Sequence, residues 1–271
     1  MLWSVCLVNI LLVFCFFLSY VLGFVSLSNN LIYSIILVVP VIQLCIHASV
    51  YLSMKKALLF IFICILFGFA SEYIGTHFGA IFGVPYVYKQ TSLMIADIPI
   101  EVMGFWSFFI YLGYSLTNSL YFGLTGKTVV KKLTTLLILT IFDALFVTAI
   151  DLFMDPLHVQ IGTWTWIQQG PYFGIPLSNF SGWFMVAFLS SGLFRILTYQ
   201  NKSLGKKVID STTYIQPINY VTFALGFACF SLTLGMWQLA VIGVIVMAPQ
   251  GIITLYLLSK RIPTRFFPSF V

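Results

Sequence analysis

The chain has 271 residues, of which 61% are hydrophobic and only 7% charged, and its mean hydropathy is +1.05. Soluble domains carry roughly 25% charged residues, so a chain this poor in charge cannot clothe itself in water-facing surface, and a soluble enzyme is excluded. The net charge of +6 does not indicate nucleic acid, because the lysines and arginines sit in short segments between apolar runs, as topology signals do.

Eight apolar segments follow one another, at about residues 3–25, 31–52, 57–77, 98–122, 133–153, 176–198, 217–233 and 236–258. Each approaches the roughly 20 residues that cross about 30 Å of hydrocarbon. The expected fold is therefore all-α: a polytopic membrane bundle of about eight transmembrane helices, forming a single integral membrane domain over residues 1–271. The first segment has neither a basic leader nor a small-residue cleavage site, so it reads as a span. Cys6, Cys15, Cys45, Cys64 and Cys229 all lie in apolar runs without a CxxC pair, and read as small buried side chains. Only two loops are long, about 78–97 and 154–175. Both are rich in glycine, proline and aromatics, which predicts that they fold back onto the bundle.

Basic residues set the orientation. With the N-terminus cytoplasmic, twelve of the thirteen fall on the cytoplasmic side: Lys55, Lys56, Lys127, Lys131, Lys132, Arg195, Lys202, Lys206, Lys207, Lys260, Arg261 and Arg265. Lys89 alone falls outside. The asymmetry predicts cytoplasmic N- and C-termini and a place in the cell membrane.

Acidic residues show the opposite bias. Glu72, Asp97, Glu101, Asp151 and Asp155 lie near the outer ends of their spans, Asp143 lies deeper in span five, and Asp210 sits in a cytoplasmic loop. Charged groups within spans are costly and usually face the bundle interior or a wet cavity. Asp143, Asp151 and Asp155 are spaced by eight and four and so share a helical face, while Glu72 and His77 stand about a turn and a half apart. Singly, each acid reads as a helix cap or loop anchor. Together they read as a buried acid site in which a protonated carboxyl acts as donor.

Three histidines without a histidine box are too few for a di-iron oxygenase. No metal and no cofactor is expected, and His77 and His158 are assigned hydrogen-bonding roles. Trp164, Trp166, Tyr172 and Phe173 form an aromatic loop, either an interfacial belt or a vestibule whose rings stabilise a cation by about 0.5–2 kcal/mol each. The Asp151 to Asp155 spacing also resembles the aspartate pairs with which membrane prenyltransferases hold magnesium diphosphate. A second aspartate-rich motif is missing, and the outer side offers only Lys89 to a diphosphate, which counts against that reading.

A weak repeat runs through the middle of the chain. Phe82-Gly83-Val84-Pro85-Tyr86, Ile98-Pro99-Ile100 and Gly104-Phe105-Trp106 are echoed by Gly170-Pro171-Tyr172-Phe173-Gly174, Ile175-Pro176-Leu177 and Gly182-Trp183-Phe184. Spans three and four, and five and six, thus read as duplicated helical hairpins around a shared site, as repeats do in transporters.

These stretches carry a family resemblance. Glu72-x-x-Gly75 to Phe82-Gly83-Val84-Pro85-Tyr86-Val87-Tyr88, Ile98-Pro99 before Trp106, Asp151-Leu152-Phe153-Met154-Asp155-Pro156 with Trp164-Thr165-Trp166, and Tyr172 to Phe180 with Gly182-Trp183-Phe184 resemble the membrane-bound carotenoid biosynthesis proteins over about residues 65–200. That family includes the bisanhydrobacterioruberin hydratases and carotenoid 1,2-hydratases. Val84-Pro85 before Tyr86, and Glu101, depart from its pattern and leave the substrate open to another isoprenoid.

The resemblance implies a cofactor-independent hydro-lyase. Water adds across a terminal trisubstituted double bond of a lipid-soluble polyene, giving a tertiary alcohol. Asp151 and Asp155 are the expected acids, with Glu72 and His77 positioning water and Asp143 on the same helical face. Tyr86, Tyr88, Trp106, Trp164, Trp166, Tyr172, Phe173, Asn179 and Trp183 are the expected substrate-binding residues. The partners are a lipid-soluble isoprenoid, membrane lipids and other enzymes of the same pathway, with no nucleic acid. Two alternatives stand beside it: a hydratase of the prenyl chains of archaeal ether lipids, and a proton-coupled transporter or lipid-binding membrane protein.

Overall fold

The computed structural model describes residues 2–22, 30–89, 93–199 and 209–262. Lys202, Lys206, Lys207 and Arg265, which carry part of the orientation argument, lie outside the described residues. Eight α-helices make up the bundle: α1 (Leu2–Val21), α2 (Asn30–Tyr51), α3 (Met54–Phe78), α4 (Ile100–Thr125), α5 (Leu133–Gln160), α6 (Leu177–Thr198), α7 (Ile215–Thr233) and α8 (Trp237–Ser259). Among the described residues, five helical stretches are long and apolar enough to cross a bilayer: α3, α5, α6, α8, and α7 together with the 3-10 turn Ser211–Tyr214 that leads into it.

Helix α4 is the axis of the bundle. Every residue from Trp106 to Ser119 is buried, although the stretch includes Ser107, Ser115, Thr117, Asn118 and Ser119. A helix buried on all sides has no solvent- or lipid-facing stripe to declare itself. Its polar groups are covered by α3, α5, α7 and α8, which pack around it.

The two hairpins expected from the repeat start their return helices alike. Pro99 caps α4 with φ −61° and ψ 136°, and Pro176 caps α6 with φ −63° and ψ 139°. A proline at a helix entrance has no N–H to leave unsatisfied. The preceding isoleucines, Ile98 and Ile175, are both fully buried. Trp106 and Trp183 each follow their proline by seven residues, and the two indoles stack at 4.1 Å between centroids, joining the hairpins at the core.

The long loops are partly extended. Strands β1 (Tyr86–Tyr88) and β4 (Trp164–Trp166) pair antiparallel with Tyr86 opposite Trp166 and Tyr88 opposite Trp164, while β2 (Met94–Ile95) and β3 (Ile98–Pro99) form a second small ladder. Lys89 N–H to the Thr163 carbonyl (2.8 Å) and Ile167 N–H to the Pro85 carbonyl (3.0 Å) extend the first ladder at both ends. The expectation that both loops fold back is met, because pairing with each other satisfies their backbone polar groups. The second loop is shorter than expected: α5 runs on through Pro156 to Gln160, so Asp155 is helical.

Glycine makes room for this cover. A Cβ on Gly182 of α6 would lie 2.6 Å from the Phe82 ring and 2.7 Å from the Ile81 carbonyl. The first loop can therefore rest on α6 only where that side chain is missing.

Candidate active site

Glu72 stands on α3 with only 4% of its surface exposed. Its Oε2 accepts from the hydroxyls of Tyr86 and Tyr88, the latter at 2.7 Å, and its Oε1 accepts from Trp106 Nε1 at 2.8 Å. Burial, and then the neighbouring Glu72 carboxylate, hold both loop phenols well above the usual tyrosine range, so both remain protonated donors. Three donors from two loop tyrosines and α4 converge on this one carboxyl group and fix its orientation. Gly75, one turn along α3, admits this arrangement: a Cβ there would meet the Phe82 ring at 2.5 Å and the Tyr86 hydroxyl at 3.0 Å.

The second hairpin supplies a different acid group. Asp151 and Asp155, one turn apart on α5, are 0% and 3% exposed. Asn179 on the first turn of α6 donates its Nδ2 to both, at 2.9 Å to Asp151 Oδ2 and 2.6 Å to Asp155 Oδ2. Asp151 Oδ1 is buried with no partner among the described residues. No arginine or lysine forms an ion pair with these two acids or with Glu72 among the described residues.

Between the two groups lies a cavity of about 150 Å³. Glu72, Asp155 and Asn179 reach it among the rings of Tyr86, Tyr88, Trp106, Trp164, Trp166 and Trp183. The remaining wall includes Phe82, Phe105, Phe108, Phe109, Met154, Phe223 and Phe227, with Lys89, Glu101, His158 and Thr163 also contributing. The phenylalanines of α4 and α7 were not singled out by sequence reasoning. Phe223 and Phe227 stand one turn apart, but in a span where most neighbours are also apolar that spacing distinguishes nothing.

Four expected site residues are placed elsewhere. His77 lies on the exposed side of α3, with Nδ1 near Thr76 Oγ1 (2.9 Å) and the Tyr73 carbonyl (3.1 Å) and Nε2 3.9 Å from Asp97, and it does not line the cavity. Asp143 is fully buried but bound by Arg195, whose Nε and Nη2 reach its two oxygens at 2.7 Å each. That pair makes Arg195, counted among the cytoplasmic-side basic residues, a buried residue of α6, stacked over the Tyr114 ring at 4.4 Å. Tyr172 spends its hydroxyl on the Leu152 carbonyl at 2.8 Å, and Phe173 packs beside it with φ +49°. Neither lines the cavity.

The bond made by Tyr172 has a local cause. Pro156 lies inside α5 and has no N–H for the carbonyl of Leu152, four residues back. The Tyr172 hydroxyl takes that place and keeps α5 helical between Asp151 and Asp155.

A family model described as carotenoid biosynthesis protein matches residues 30–249. The chain belongs to the carotenoid biosynthesis protein family. Comparison with curated proteins and with solved structures gives no match. Family and fold together make this a multi-pass integral membrane protein with a biosynthetic role in carotenoid formation. For this carotenoid biosynthesis protein the matched span contains every residue of the cavity described above.

Proposed function

We propose that the protein is a carotenoid hydratase, adding water across the terminal trisubstituted double bond of an acyclic polyene. The observation that carries the reading is a carboxyl pair without a cation, facing a fixed carboxylate across an aromatic cavity. Two buried carboxyls sharing one amide cannot both be charged, since desolvation and mutual repulsion oppose it. The pair therefore keeps a proton. Asp155, which reaches the cavity, delivers it to the alkene carbon that bears one hydrogen, and Asp151 behind it shares the remaining charge through Asn179.

The tertiary cation so formed lies among Trp and Tyr faces, each worth about 0.5–2 kcal/mol to a cation. Glu72 adds a preorganised negative charge. Water then bonds to the cationic carbon and loses a proton, so one water is gained and the acid is restored. The cavity is smaller than the roughly 300–1,000 Å³ of sites that enclose a whole small ligand. It suits the end of a chain whose remainder stays in lipid, which favours a terminal bond. An ether-lipid prenyl chain presents the same terminus and is the second substrate to try. The reading includes eight membrane passages with both termini cytoplasmic.

The test is mass spectrometry of pigments from a host that supplies an acyclic carotenoid, with and without the protein. A product heavier by one water is expected, lost at least 100-fold in Asp155→Asn. No such product from folded protein with either substrate class would end the hydratase reading and favour proton-coupled transport.

A further inference from the structure

Glu72 is a poor candidate for the base that takes the proton from water. A carboxylate has about four lone-pair sites, and three of those on Glu72 are occupied by Tyr86, Tyr88 and Trp106. His77, the histidine expected from sequence to help with water, is outside the cavity. The cavity has one histidine in its wall, His158, in the last turn of α5.

His158 follows Asp155 by three residues and Asp151 by seven, which puts all three on one helical face. Its ring is fixed on two sides. The Trp164 indole lies flat against it, with centroids 4.4 Å apart and planes within 9°, and Nδ1 is 3.2 Å from Thr163 Oγ1. Thr163 is itself pinned, since its N–H bonds the His158 carbonyl at 2.9 Å. These contacts use one face and one nitrogen. Nε2 has no protein partner among the described residues, and the half-buried ring borders the same cavity as Asp155. The Thr163 hydroxyl can accept from Nδ1–H, and in that tautomer Nε2 presents its lone pair.

We propose that His158 is the catalytic base of hydration, holding the attacking water through Nε2 beside the Asp151–Asp155 acid. This rests on the hydratase reading above. The carboxyl of Asp155 gives its proton to the alkene carbon, water oxygen bonds to the tertiary cation, and Nε2 receives the proton that water releases. That proton returns from the imidazolium to the Asp155 carboxylate, three residues away, so the site is reset with one water consumed. Acid and base then come from one helix, and Glu72 serves as a fixed charge.

The experiment separates protonation from water capture. Reconstituted protein is given an acyclic carotenoid in D₂O, and both the hydrated product and deuterium in recovered alkene are followed by mass spectrometry. His158→Gln is expected to lose hydration about 100-fold or more, yet to keep incorporating deuterium, because the cation still forms and collapses by losing a proton. Asp155→Asn should lose both. In His158→Ala, added imidazole should restore hydration in proportion to its neutral form, which a purely structural histidine would not allow. Wild-type hydration that survives His158→Gln, or a folded His158→Ala unresponsive to imidazole, overturns the assignment of the base alone. Absence of both hydration and exchange in the wild type overturns the hydratase reading and this inference with it.

Discussion

Tyr172 shows how one hydroxyl serves the site without touching it. It closes the gap left by Pro156, and its phenol is pushed up to about 12, by burial first and by Asp151 second. Tyr172→Phe leaves the Leu152 carbonyl without its donor, an unsatisfied group worth about 1–3 kcal/mol. The expected outcome is a lower melting temperature in detergent and a smaller loss of activity than Asp155→Asn causes. The same phenol sets a pH dependence. An unfolded tyrosine ionises near 10, below the folded value of about 12, so its contribution to stability is whole below pH 10 and is lost as pH rises towards 12. Melting curves between pH 8 and 11.5 should fall more steeply in the wild type than in Tyr172→Phe.

At the scale of elements, α5 and α6 are joined at two levels by different chemistry. Near the cavity Asn179 bridges Asp151 and Asp155, and further along Asp143 and Arg195 form a buried bidentate pair. Removing one member of a buried pair leaves an unpaired charge and costs about 3–5 kcal/mol, whereas replacing both by apolar groups is often neutral or stabilising. Arg195→Met alone should therefore lower thermal stability sharply, and adding Asp143→Leu should restore it. Hydration should follow stability in both variants, since neither residue borders the cavity. Spacing alone put Asp143 with the other two acids. The side chain that separates it, Arg195, is 52 positions away in the chain, and only the packing of α6 on α5 brings them together.

At the scale of the whole molecule, the cavity is closed by two loops paired through β1 and β4 over the ends of α3 to α6. In the proposed orientation this cover faces away from the cytoplasm. A cysteine placed at Lys89→Cys should react with an impermeant thiol reagent in intact cells, and one at Lys127→Cys only after permeabilisation, in a background lacking the native cysteines. The reverse pattern would invert the bundle and would move the proposed site to the cytoplasmic face.

Composition and hydropathy were enough to read an all-helical bundle in a bilayer, because a lipid-facing helix must be apolar along its length. The prolines, tryptophans and acids of the repeat were legible too, since a helix entrance and a buried charge each need particular residue types. Glu72, Asp155, Asn179, Trp106 and Trp183 all line the one cavity. Other parts depended on tertiary structure. Asp143, His77 and Tyr172 left the expected site because partners distant in sequence, or the direction of a helical face, claimed their polar atoms. His158 and the phenylalanine wall entered it for the converse reason: in a sequence where most positions are apolar, periodicity does not mark which face looks inward, and only the packing of α4, α5 and α7 does.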